Sequence, residues 1–150
     1  MAAAPLPSTR KKARHLLVQA LYQWQLAQED IATIEAQFHT DHSMAKVDTQ
    51  FFGELLHGIP ANLEEIDAAY DQFLDRKAES LDPVSRAVLR LGTYELMYRI
   101  DVPYKVVINE SVNLAKTFGP TEAHKYINGI LDKVAGITRR VELSAGRARG

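Results

Sequence analysis

The chain has 150 residues, enough for a real core, with 46% apolar residues, 25% charged residues and a net charge of −1, all ordinary for a globular protein. No apolar run approaches the ~20 residues that span a bilayer, and the opening MAAAPLPSTRKK does not read as a secretory signal. There is no cysteine, which excludes disulfides, thiolate metal sites and a cysteine nucleophile. The near-neutral total hides an asymmetry. Residues 1–28 hold four basic residues and no acid, residues 29–83 three basic and thirteen acidic, and residues 133–150 five basic and one acidic. A protein that coats nucleic acid is basic throughout; this one offers a bounded basic patch and an acidic stretch that repels phosphate.

Pro5 and Pro7 extend the first residues, and Ser8 or Thr9 can cap a helix that runs to about Glu29. At 100° per residue Ala13, Leu16, Leu17, Ala20, Leu21 and Trp24 form an apolar stripe. Lys11, His15, Val18 and Tyr22 fall opposite, flanked by Arg10, Lys12 and Arg14. Cations in a first turn oppose the helix dipole at ~0.3–1 kcal/mol each when exposed. Together with an outward aromatic they suit phosphates and stacked bases. Asp30 is an N-cap for a second helix facing inward through Ile34 and Phe38, and residues 39–46 read as a loop. His39 and His42 find no third metal ligand at a recognised spacing. From Asp48, a helical period carries Phe52, Leu55, Leu56, Ile59, Ile66 and Tyr70 through Gly58 and Pro60; the chain either kinks there or breaks into two helices, and the retained phase favours one kinked helix.

Asp82-Pro83 is a strong helix start, followed by a helix to Arg99 with Arg86 and Arg90 on one face and Glu95 on the apolar side, within reach of Arg99 at i+4. The next helix, Tyr104 to Phe118, closes at Gly119 as a C′ glycine. Pro120 and Thr121 open a last helix to about Arg139, with His124, Lys125 and Tyr126 in its first turns as a second phosphate-and-base candidate. Residues 141–150 read as a disordered tail. No stretch alternates at period two, so the pattern is all-α. No phosphate-loop, dinucleotide, nucleophile-elbow or zinc-protease motif is present, and no catalytic constellation stands out.

DVPYKVVINESVNLAKTFGPTEAHKYINGILDKVA, RKKARHLLVQALYQWQL and DPVSRAVLRLGTYEL together resemble the bacterial transcription antitermination factor family NusB, over about residues 8–139. The resemblance implies a NusB-like fold of two packed three-helix bundles. It implies a single RNA-binding domain over residues 1–150, ordered over about 8–140, in a cytoplasmic protein with no enzymatic activity, cofactor or metal. It further implies binding of boxA-type single-stranded RNA in ribosomal RNA leaders, jointly with the ribosomal protein NusE, within the RNA polymerase antitermination complex. The implied RNA contacts fall on Arg10, Lys11, Lys12, Arg14, Tyr22, Arg90, Glu122, Lys125 and Tyr126, and the implied partner surface on Glu79, Ser85 and Arg86. Ser85 stands where some members carry an acid, so a salt bridge from that point is replaced at best by a hydroxyl hydrogen bond. Lysines replace some arginines of the opening run, which favours phosphate contact over base reading. Two rivals stand beside this reading. One is a protein-interaction or self-assembling bundle, a homodimer in the simplest case, without direct RNA affinity. The other is the NusB-like domain that precedes some RNA cytosine methyltransferases, whose catalytic cysteine is missing here.

Overall fold

A computed structural model describes residues 6–149, with side chains as far as residue 145; Pro5, expected in an extended opening, lies outside them. Among the described residues there are helices and no strands, divided into two compact units that meet in sequence at Ala61 and Asn62.

The first unit is a three-helix bundle of α1 (Pro7–Ala27), α2 (Ile31–Asp41) and α3 (Thr49–Ala61), with α1 packed on both others. The predicted stripe of α1 is buried except for Trp24, which is half-buried. Ile34 and Phe38 of α2 and Phe51, Phe52, Leu55, Leu56 and Ile59 of α3 complete the core, each worth ~1.5–3 kcal/mol of burial. Val18, placed opposite the stripe by the helical wheel, is buried as well. Pro7 stands at the start of α1 and the cap position is Leu6, not Ser8 or Thr9; the Thr9 hydroxyl donates instead to the Leu6 carbonyl at 2.8 Å. Asp48 caps α3 as expected, its Oδ1 accepting from Phe51 N at 3.0 Å. His39 to Asp41 belong to α2 and not to a loop.

The kinked helix is in fact two helices. Pro60 removes one backbone donor near the end of α3, and Asn62, at φ −120° and ψ 25°, leaves the helical region before α4 (Leu63–Asp71) begins. Retained apolar phase is thus no proof of continuity; the break carries the chain from one unit to the other.

The second unit holds α4, a short 3-10 turn at Ala78–Ser80, α5 (Pro83–Tyr98), α6 (Tyr104–Phe118), α7 (Ala123–Thr138) and α8 (Arg140–Arg149). Helices α5, α6 and α7 pack mutually as the second three-helix bundle, with α4 on α5 and α7, and α8 on α7. The contact of α5 with its neighbours needs Gly92: a Cβ there would stand 2.7 Å from Ser111 Oγ and 2.9 Å from Leu131 Cδ1. Asp82 caps α5 through Ser85 N at 2.9 Å. Gly119 does end α6, but in an extended conformation; its lack of a Cβ matters because that atom would lie 2.8 Å from the Ala115 carbonyl. Pro120 and Thr121 precede α7 and do not open it; Glu122 turns the chain with a left-handed φ of 73°.

The tail expected to be disordered is helical as far as Arg149, as part of α8; Gly150 lies outside the described residues. The anchor is Arg139, only 4% exposed. Its guanidinium donates to the carbonyls of Glu95, Leu96, Arg99 and Val102 at 2.8–3.1 Å and to Glu142 Oε1 at 2.7 Å. These carbonyls include orphan acceptors at the end of α5. Glu142 also accepts from Tyr104 N at 2.9 Å, at the start of α6. Arg99 forks onto Asp101 at 3.0 Å through both nitrogens.

Candidate nucleic-acid interface

In the first unit the cations of α1 divide by direction. Arg14 is 4% exposed, and its guanidinium lies 5.1 Å above the centre of the Phe51 ring. Arg10 is half-buried, 4.9 Å over the same ring and 3.4 Å from Asp48 Oδ2. Asp48 also donates its backbone N–H to the Thr9 carbonyl at 3.1 Å, so these contacts tie the start of α1 to the start of α3. Spacing of four residues brings Arg10 and Arg14 together, but over an aromatic ring of the bundle. Lys11 and Lys12 are exposed, no acid occupies the first turn, and Tyr22 is 39% exposed, as its outward position predicted.

In the second unit Arg90 is 7% exposed and grips Asp67 with two parallel bonds, Nε to Oδ1 and Nη2 to Oδ2, both at 3.0 Å. Arg86 Nη2 lies 3.6 Å from the same carboxylate, and the Tyr70 hydroxyl donates to it at 2.7 Å. Burial alone pushes the Asp67 carboxyl up, but the bonds from Arg90 and Tyr70 and the two guanidinium charges outweigh it and hold the group below its usual range. Burial and the neighbouring Asp67 push the Tyr70 hydroxyl well above its ordinary value. The shared face of Arg86 and Arg90 is therefore turned onto a carboxylate of α4.

The start of α7 is open but engaged. Lys125 Nζ pairs with Glu122 Oε2 at 2.6 Å, both groups exposed. The Tyr126 hydroxyl donates to Asp75 Oδ1 at 2.9 Å and accepts from Asp75 N at 3.4 Å. The Arg76 guanidinium lies 4.5 Å from the ring centre of Tyr126, with its Nε 2.8 Å from Asp75 Oδ1. Bonds from Arg76 and Tyr126 hold the Asp75 carboxyl down. The ring that would stack on a base is thus already covered on one face by Arg76. Glu79 is exposed on the 3-10 turn, whereas Ser85 is buried in the first turn of α5. A groove of about 380 Å³ brings Ser85 and Asp82 together with Glu122, Arg76 and Tyr126.

Among the described residues no three His, Cys, Asp or Glu side chains cluster to hold a metal ion. The profile of the NusB family matches residues 11–136. The chain belongs to the NusB family. A relative from Teredinibacter turnerae, named transcription antitermination protein NusB, is 52% identical over 142 residues, 94% of this chain and 97% of the relative. One of the same name from Alcanivorax borkumensis is 50% identical, over 95% of each. Among solved structures, T. maritima NusB superposes with a TM-score of 0.78 at 29% identity, over 94% of this chain and 99% of that one. A NusB chain solved with NusE and double-stranded RNA superposes at 0.74 with 25% identity, over 88% and 99%. The NusB-type pattern of an opening basic helix was legible in the sequence; Asp67, Asp75 and Arg76 were not. Arg76 had one signal, as one of three cations in the acidic stretch 29–83.

Proposed function

We propose that the protein is a non-catalytic antitermination adaptor. It binds boxA-type single-stranded RNA together with NusE and joins the RNA polymerase antitermination complex in the cytoplasm, residues 1–150 serving as one RNA-binding domain. Membership of the NusB family carries the reading, and the exposed Lys11 and Lys12 on an acid-free first turn support it. Lysine ammoniums there contact phosphates, and Tyr22 offers a ring for stacking. Arg10 and Arg14 act from behind, fixing the turn against Phe51. Lys125 and Tyr126 supply a second contact, with Glu122 competing for the lysine. Glu79, Ser85 and Arg86 lie on the partner side, where an acidic stretch suits a basic ribosomal protein. No helix among the described residues is long and apolar enough to cross a membrane.

The test is fluorescence anisotropy of a boxA-type RNA with and without NusE at two salt concentrations. Binding that tightens with NusE and weakens with salt supports the adaptor; no binding in either condition refutes it. Ile100 and Val141, 77% and 86% exposed, give the self-assembling alternative an apolar surface. Sedimentation that depends on protein concentration and ignores RNA would favour that alternative.

A further inference from the structure

The first unit holds a cavity of about 520 Å³ between the start of α1 and the chain that follows α2. Lys11, Lys12 and His15 face it from α1, His42 from the end of α2, and Leu16 and Val47 give it an apolar wall. Among the described residues no carboxylate lines it, although the chain as a whole carries a slight excess of acid. The His42 ring is stacked on Phe38, 5.0 Å between centres at 23°, and Phe38 leans in turn on Phe52 at 6.1 Å. His42 is therefore a positioned ring at the end of an aromatic series that begins in the core.

An inorganic anion needs cations but no apolar wall, and an apolar ligand needs the wall but no cations. A ligand that uses both is an amphipathic anion of small size. From this we infer that the cavity is a pocket for one nucleotide: the base enters against His42 and the wall of Leu16 and Val47, and the phosphate meets Lys11 and Lys12 at the rim. The inference rests on the RNA reading above and deepens it. It gives the basic turn a base-accepting site beside it, so that one nucleotide of the bound strand is turned out of line and its loss is felt individually. His42 carries this role because it supplies the ring; the lysines alone would treat every nucleotide alike.

The experiment uses the full chain and a boxA-type RNA on the order of 12 nucleotides long, with an abasic ribose placed at each position in turn. In the unaltered protein one abasic position weakens binding about tenfold. In His42→Ala that penalty shrinks to within about twofold, while His42→Phe, which keeps a ring on Phe38, retains it. Lys11→Ala weakens every RNA of the series alike. A second arm follows the His42 ring signals by NMR, titrating adenosine 5′-monophosphate against ribose 5-phosphate; shifts with the first alone mark a base in the pocket. If the RNA binds but His42→Ala leaves every abasic penalty in place, the nucleotide pocket is overturned and RNA binding stands. If no RNA binds but adenosine monophosphate shifts His42, the pocket serves a free nucleotide and the RNA reading falls. If neither occurs, both are overturned.

Discussion

Replacing Arg90 by alanine separates a phosphate contact from a structural clamp. In the structure the guanidinium is 7% exposed and makes two charge-assisted bonds of 3.0 Å to Asp67. Each such bond contributes ~1.5–3 kcal/mol. Arg86, at 3.6 Å, and the Tyr70 hydroxyl remain on the carboxylate and recover part of this loss. A net cost of about 2–3 kcal/mol follows. Asp67→Ala is more severe, at ~3–5 kcal/mol, because it leaves Arg90 buried without its carboxylate. At ~2–4 °C per kcal/mol for a chain of this size, Arg90→Ala lowers the melting temperature by roughly 4–12 °C. The double variant costs less than the sum of the single ones. Thermal unfolding followed by circular dichroism reads these shifts, and anisotropy well below the transition reads RNA affinity, which stays within about twofold of the unaltered protein. An Arg90→Ala protein that melts normally but has lost RNA affinity tenfold would refute the clamp and restore Arg90 as a direct contact.

The same carboxylate predicts a pH dependence. The folded state holds Asp67 below its ordinary value, so its stabilisation is complete above the unfolded value near pH ~3.9 and fades as pH falls through the lower folded value; the stability gap to Asp67→Asn stays constant above pH ~5 and narrows below ~4. Glu122 occupies a left-handed φ of 73°, so Glu122→Gly raises stability by ~1 kcal/mol and, by releasing Lys125, strengthens RNA binding; an unchanged melting temperature would count against the strain. Arg139→Ala removes its bonds to four carbonyls and to Glu142, costs ~3 kcal/mol and speeds amide exchange in α8 ahead of α5–α7. Gly92→Ala forces a Cβ against Ser111 and Leu131 and costs ~1–3 kcal/mol in the same melting assay.

Periodicity and caps made most of the fold legible. Asp48 and Asp82 cap the helices assigned to them, and α6 has the predicted bounds. What the chain pattern could not show was the identity of a partner distant in sequence. Pro60 announces a disturbance, but whether the chain bends or changes unit depends on what each half packs against. Residues 141–149 look like a polar tail because the helix they form is anchored by Arg139 to carbonyls some forty positions earlier. The same limit applies to the site. The helical wheel sets Arg14 among the cations that flank the outward face of α1; the structure turns its guanidinium onto Phe51, a partner distant in sequence.

That difference has a measurable consequence for RNA binding. Six cations carry the implied contacts: Arg10, Lys11, Lys12, Arg14, Arg90 and Lys125. If all of them neutralised phosphates, the logarithm of the binding constant for a single strand would fall with the logarithm of salt at a slope of about −4, from ~0.7 per contact. The structure turns Arg14 and Arg90 inward and half-buries Arg10 against Asp48, leaving three exposed lysines and a slope near −2. Lys11→Ala and Lys12→Ala then each remove about 0.7 from it, and Arg14→Ala leaves it unchanged while lowering stability. A slope of about −4 would mean that RNA draws the arginines out of their contacts with Phe51 and Asp67, and that the free surface is not the one that binds.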